Sequence, residues 1–98
     1  SLWGGFSHYL YLPLNAVLHH VPKGLTPEQA GLATPMSNGV QWALFDGGVT
    51  FGSTVLIQGP GQQGLCCVMA AKYAGAAKII ITGTSRDALD PRISMAAE

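Results

Sequence analysis

Two short apolar runs in the second half of the chain have the pattern of buried strands. Residues 53–58 and 78–82 are rich in aliphatic and β-branched side chains, and each run leads directly into glycine. Between them, residues 65–73 form a helix-compatible run that ends near Gly75. The order strand, glycine turn, helix, strand predicts an α/β fold built on a βαβ unit with parallel strands.

The first half of the chain predicts extended segments followed by short helices. Residues 6–12 are mostly aromatic or aliphatic and predict a strand, and residues 16–21 predict a second extended piece. Residues 26–29 have the pattern of a capped helix start: a threonine N-cap, a proline at the first position and a glutamine at the third. This first helix is predicted to run to about residue 33.

A second helix is predicted between Pro35 and the glycine pair at residues 47–48. Apolar residues recur there at helical spacing before the glycines end the segment. Trp42 and Phe45 lie on this helix, and we expect both rings in the core. Another helix is predicted to begin near Asp90.

Composition narrows the class of partner. Of 98 residues, 48% are apolar and 10% are charged, with a formal net charge of zero. This balance gives no electrostatic reason to expect a nucleic acid or an anionic membrane as a partner. No apolar run is long enough to cross a bilayer, and the adjacent Cys66 and Cys67 are expected as reduced, buried thiols in a cytoplasmic protein. The chain begins without Met and stops inside a predicted helix, so we expect it to be a fragment.

Three glycines after the first buried run match the pattern G-x-G-x-x-G. Gly59 permits a sharp turn out of the strand, Gly61 lets the backbone approach a pyrophosphate, and Gly64 lets the helix pack closely on the sheet. The amides near Gln62 and Gln63 then face the phosphates at the positive end of the helix. A plain glycine-rich turn is the alternative interpretation. A Walker loop is excluded because no Gly-Lys-Ser/Thr follows.

The residue that ends the second strand usually determines which ribose is recognised, because an acid there binds the 2′-hydroxyl of NAD. Here that residue is Gly83, followed by Thr84, Ser85 and Arg86. Hydroxyl donors and a guanidinium favour a 2′-phosphate, so the sequence favours NADP over NAD. Alternatively, Arg86 is a solvated residue that opens a helix, and Asp87 could still serve the ribose.

Several motifs in succession resemble the medium-chain dehydrogenase/reductase superfamily, zinc-type alcohol dehydrogenase branch. The glycine loop with its strand (residues 54–64) and the helix end at residues 70–76 carry the resemblance most specifically. Residues 5–10, 21–30 and 48–55 are also similar to that family, so the resemblance extends over essentially the whole chain.

The resemblance implies a division of the chain into three parts. Residues 1–24 would be the last strands of the GroES-like catalytic domain, residues 25–52 the linking helices, and residues 53–98 the first half of an NAD(P)-binding Rossmann domain. A full subunit of this family exchanges hydride between nicotinamide and an alcohol or carbonyl substrate, often with a catalytic zinc. We assign no catalytic residue in this chain, and we expect no turnover from it alone. The full-length protein could form homo-oligomers.

Two positions on the second helix bear on the family's site. The resemblance puts Thr34 where a third zinc ligand is common, and threonine is a poor zinc ligand, so the chain holds no predicted metal ligand set. Asn38 would lie close to the nicotinamide and could bond its amide, or it simply packs near a helix start. His8 stands where relatives often carry glutamate.

Three other functions stay open at this stage. A zinc-independent quinone or enoyl reductase of the same superfamily is favoured by Thr34. A methyltransferase that binds S-adenosylmethionine also has a glycine-rich turn after its first strand, but it usually has an acid where this chain has Gly83. A non-catalytic nucleotide-binding or structural module is the third.

Overall fold

The computed structural model describes residues 5–85 and residue 87. The chain order in this part is two helices, a π-helical segment, a strand, a helix and a second strand. These elements are α1 (Pro27–Gly31), α2 (Ala33–Val40), the π-helical segment (Gln41–Asp46), β1 (Thr54–Gln58), α3 (Gln62–Tyr73) and β2 (Lys78–Thr82). No helix in this part of the chain is both long and apolar enough to cross a membrane. The helix predicted near Asp90 lies outside the described residues.

Strands β1 and β2 form a parallel two-stranded sheet, which confirms the predicted α/β fold. Their register runs from Thr54 opposite Lys78 to Gln58 opposite Thr82. The Gly59 amide donates to the Thr82 carbonyl at 2.7 Å, so the pairing continues one residue into the loop. Helix α3 connects the two strands and begins at Gln62, three residues before its predicted start, because part of the glycine loop forms its first turn.

Small side chains make the core where α3 meets the π-helical segment and the strands. Ala43, Val49, Ala70 and Ala71 form the buried cluster. Further apolar residues pack around this cluster while partly exposed: Met36, Val40, Leu44, Val55, Cys67, Ala74, Ala76 and Ile79. Alanines at the centre bring α3 close to its neighbours, and they bury little apolar area each.

Helix α1 begins with the predicted capping box. The Thr26 amide donates to Gln29 Oε1 at 2.9 Å, and the Gln29 amide donates to Thr26 Oγ1 at 3.3 Å. Hydrogen bonds from its own backbone amide and from the Thr26 hydroxyl hold the pKa of Glu28 below its ordinary value. Helix α2 already begins at Ala33, so Pro35 lies in its first turn, where a missing N–H leaves no helical bond unmade.

Two predictions for apolar residues are wrong. Residues 6–12 and 16–21 form no strand within the described chain, and Phe6 is fully exposed. A strand needs a neighbouring backbone to pair with, and the sheet in the described part of the chain consists of β1 and β2 alone. Trp42 is 48% exposed and Phe45 72% exposed, so neither ring belongs to the core. The assignment of residues 1–24 to a GroES-like domain stays a prediction.

Candidate functional site

The glycine loop lies at a strand-to-helix bend, as the sequence predicts. Gly59 follows β1 with φ +101°, a backbone conformation that glycine adopts readily and other residues adopt rarely. Gly61 is the N-cap of α3 with extended backbone, φ −73° and ψ 177°. The Leu65 amide then donates to the Gly61 carbonyl at 2.9 Å, which is the first bond of the helix. The chain thus reverses over a few residues at the carboxyl end of β1.

The other two glycines differ in what surrounds them. A Cβ on Gly64 would collide with the Gly59 carbonyl oxygen, so the first turn of α3 packs directly against the loop backbone. A Cβ on Gly61 would meet nothing within 4 Å. Gly64 therefore makes the bend possible, and Gly61 leaves open space in front of it.

Helix α3 offers uncapped donors to that space. Gly61 has no side chain, and no side-chain hydrogen bond caps the helix. The amides of Gln62, Gln63 and Gly64 belong to the first turn, whose N–H groups have no partner within the helix. The first turn carries no acidic side chain, and Gln63 Oε1 is buried without a hydrogen-bond partner among the described residues. Donor amides and a positive helix end fit a ligand with a phosphate or pyrophosphate group, whose oxygens accept hydrogen bonds; the Gln63 Oε1 acceptor would need a donor from another part of such a ligand.

Gly83, at the end of β2, lies beside the loop. A Cβ on Gly83 would be 3.2 Å from Pro60 Cγ, so the two strand ends carry adjacent parts of the site. The Thr84 amide and hydroxyl both donate to Asp87 Oδ2, at 2.6 Å and 2.8 Å. Ser85 is exposed.

Arg86 lies outside the described residues. The structure brings Gly83 beside the glycine loop, and Thr84 and Ser85 follow it in the chain; with Arg86 and Asn38 these residues make up the cofactor-binding set predicted from the sequence. It also shows an acceptor, Asp87, that holds both donors of Thr84.

The two predicted positions on α2 lie apart from the loop in sequence. Asn38 is half-buried, and its neighbour Gly39 contacts Cys66, about one helical turn beyond the start of α3. Thr34 is exposed in the first turn of α2. Within residues 5–85 and 87, no three His, Cys, Asp or Glu side chains come together as a metal site would require.

A groove of about 450 Å³ runs along β1, which the sequence analysis missed. The π-helical segment, the chain that follows it and α3 supply the other walls. Its lining residues are Trp42, Ala43, Gly47, Gly48, Val49, Ser53, Thr54, Val55, Leu56, Ile57 and Cys67. The glycine pair at residues 47–48, which leaves room beside β1, is the sequence feature that could have indicated it.

Both thiols are free. Cys66 is buried and Cys67 is half-buried. Burial raises the pKa of the Cys67 thiol, and the adjacent Cys66 raises it further. A thiol with a raised pKa is a weak nucleophile at neutral pH, so the groove carries no activated cysteine.

Comparison with known proteins finds relatives whose sequences align with most or all of this chain. No family model matches it. It is 39% identical over 99 residues to a Mycobacterium tuberculosis protein named "Probable alcohol dehydrogenase adh", which covers 100% of this chain and 26% of the relative. It is 37% identical over 83 residues to the sorbitol dehydrogenase of Macaca fascicularis (85% of this chain, 22% of the relative).

The L-threonine 3-dehydrogenase of Aliivibrio fischeri is 37% identical over 89 residues, which covers 89% of this chain and 24% of the relative. The chain therefore spans about a quarter of the length of the curated relatives it matches. The succession of motifs in the sequence, the strand–loop–helix bend and these three relatives all indicate the same family. The chain belongs to the medium-chain dehydrogenase/reductase superfamily, in its zinc-type alcohol dehydrogenase-like branch.

Proposed function

We propose that this chain supplies the pyrophosphate-binding part of a nicotinamide dinucleotide site in an alcohol dehydrogenase-like oxidoreductase. The observation that carries the proposal is the bend between β1 and α3, where a glycine N-cap leaves first-turn amides uncapped beside open space. The names of the matched relatives, all dehydrogenases, support the same activity for the whole protein.

Different residues of the bend would bind different parts of the dinucleotide. The amides of Gln62 and Gln63, with that of Gly64, would donate to the pyrophosphate oxygens. Gly61 would allow those oxygens to approach the backbone, and residues 83–86 would meet the adenosine ribose. When bound, the nicotinamide of such a cofactor accepts or gives the hydride. Asn38 is proposed to contact the nicotinamide end.

The preference for NADP over NAD stays a prediction from the sequence. It depends on donation from Thr84, Ser85 and Arg86 to a 2′-phosphate. The alcohol or carbonyl substrate and any homo-oligomer belong to the whole protein and are proposed with it. We also propose that the 98 residues alone show no alcohol oxidation, since they make up about a quarter of the length of the relatives.

Titration of the purified chain tests the proposal. NADH and NADPH are added separately, and binding is followed by nicotinamide fluorescence, with circular dichroism confirming that the chain is folded. Binding that ADP-ribose displaces supports the proposal, because the two ligands share the adenosine diphosphate part. S-adenosylmethionine lacks a pyrophosphate, so its binding in place of both nucleotides would contradict the proposal and favour the methyltransferase alternative.

A zinc-independent quinone or enoyl reductase of the same superfamily is the second candidate. Thr34 favours it, since a hydroxyl stands where the family commonly has a zinc ligand. Metal analysis of the whole protein separates the two candidates: one bound zinc per subunit at a catalytic site supports the alcohol dehydrogenase, and an active reductase without zinc supports the alternative.

A further inference from the structure

We infer that Asp87 takes the place of the missing carboxylate at the end of β2 and makes this site prefer NAD over NADP. The inference rests on the proposed function, because it concerns which of the two nicotinamide dinucleotides binds. It opposes the preference for NADP drawn from the sequence, which counted Thr84 as a donor to the 2′-phosphate.

Asp87 lies close to the place that a side chain on Gly83 would take. A Cβ on Gly83 would be 3.1 Å from both Cβ and Oδ2 of Asp87. That is within the length of a glutamate side chain, so the Asp87 carboxylate lies in the volume that an acidic side chain at position 83 would occupy. Gly83 leaves this volume empty of its own atoms, and Asp87 fills it from four residues further along the chain.

The volume beside Gly83 also borders the glycine loop. The same hypothetical Cβ is 3.2 Å from Pro60 Cγ, and Pro60 is a buried residue of the glycine loop. The carboxylate is thus held where the loop and the end of β2 meet. In parallel sheets this edge, beyond the carboxyl ends of the strands, is where nucleotides bind.

Asp87 already holds both hydrogen-bond donors of Thr84. Its amide and its hydroxyl both donate to Asp87 Oδ2, at 2.6 Å and 2.8 Å. The Asp87 amide returns a bond of 2.9 Å to the Thr84 carbonyl. These bonds fix the carboxylate beside Gly83, and they use donors that a 2′-phosphate would need.

Charge then separates the two nucleotides. A 2′-phosphate brought beside a fixed carboxylate places like charges together, which weakens the binding of NADP. A carboxylate has about four acceptor positions, and in this site one of them would accept a hydrogen bond from the ribose 2′-hydroxyl of NAD.

The test uses Asp87→Asn, which keeps an acceptor oxygen for Thr84 and removes the charge. The dissociation constants of NADH and NADPH are measured for both proteins by nicotinamide fluorescence. We expect the unsubstituted chain to bind NADH about tenfold or more tighter than NADPH, and we expect Asp87→Asn to reduce that ratio by about tenfold or more. The matched control is Asp46→Asn, which removes the same charge from the end of the π-helical segment and should leave the ratio unchanged.

The possible outcomes separate this inference from the proposed function. If Asp87 only caps the turn at Thr84, the substitution weakens both nucleotides by the same factor, and the inference is overturned while the function stands. Tighter binding of NADPH than NADH by the unsubstituted chain overturns it in the same way. Should neither nucleotide bind the folded chain, the proposed function fails and the inference fails with it.

Discussion

Gly39 on α2 and Cys66 on α3 are in backbone-to-backbone contact. A Cβ on Gly39 would lie 2.6 Å from the carbonyl carbon of Cys66 and 2.7 Å from its oxygen. Both residues are buried, and the atoms in the way are main-chain atoms of a helix, which cannot move aside as a flexible side chain can. The close approach of α2 to α3 therefore depends on the absence of a side chain at residue 39.

Replacement of Gly39 by alanine should destabilise the fold. Alanine is the better helix former by about 1 kcal/mol, but overpacking costs about 1–3 kcal/mol. A clash with main-chain atoms belongs at the upper end of that range, so we expect a net loss of about 2 kcal/mol. Urea unfolding followed by circular dichroism measures the change. Gly31→Ala is the matched control, because a Cβ there meets nothing within 4 Å. Equal stability of Gly39→Ala and the unsubstituted chain would show that the helices separate at little cost.

Two glycines of the loop should respond differently to alanine. Gly61 has backbone angles that alanine adopts, and its Cβ would meet no protein atom within 4 Å. Gly61→Ala should cost about 1 kcal/mol or less of stability, yet place a methyl group where the pyrophosphate approaches and reduce NADH binding by about tenfold or more. Gly64→Ala should reduce NADH binding too. Unlike Gly61→Ala, it should also lower the free energy of unfolding by about 3 kcal/mol, because its Cβ meets the Gly59 carbonyl.

The comparison requires both measurements on both variants. Urea midpoints give stability, and NADH titration below the unfolding transition gives affinity. Undiminished NADH binding by Gly61→Ala would contradict the proposed place of the pyrophosphate.

Cys67 should be slow to react at neutral pH. Burial, with a smaller effect from Cys66, raises the pKa of its thiol, so less thiolate is present than in an unfolded peptide at the same pH. Iodoacetamide labelling, read by mass spectrometry, should be slower in the folded chain than in urea, and it should accelerate as the pH rises. Because the folded pKa lies above the unfolded one, this group stabilises the fold below the unfolded pKa and loses that contribution as the pH rises through the folded pKa. Labelling at equal rates in both states would contradict the shift.

The second half of the fold could be predicted from sequence because its signals are local. The apolar runs of β1 and β2 and the glycines between them specify strand, bend and helix within about thirty residues. The strand predicted over residues 6–12 had no such support: its residue types suit a strand, but strand formation depends on a partner backbone that the described chain does not provide. Likewise, Trp42 has the spacing of a core residue and faces the groove instead.

In the candidate site, too, the features with local signals could be predicted and those that depend on the folded chain could not. The glycine spacing, read together with the buried strand before it, placed Gly59, Gly61 and Gly64 at the bend. Gly59 has a positive φ and a Cβ on Gly64 would meet the Gly59 carbonyl, whereas Gly61 leaves open space. The position of Asp87 could not be deduced in that way, since it depends on a turn that folds the carboxylate back onto Gly83. Sequence shows only that an acid occurs four residues after Gly83, and not where its oxygens lie.

The parallel register of the sheet couples the folding of the glycine loop to the folding of the sheet. Thr54 pairs with Lys78 across the whole of α3, so every strand pairing joins residues that the loop and this helix separate in sequence. Contacts so distant in sequence form late and slowly compared with a hairpin. A nucleotide that binds only the completed bend therefore stabilises sheet, loop and helix by the same amount, and its occupancy should appear as a shift in the melting temperature of the entire unit.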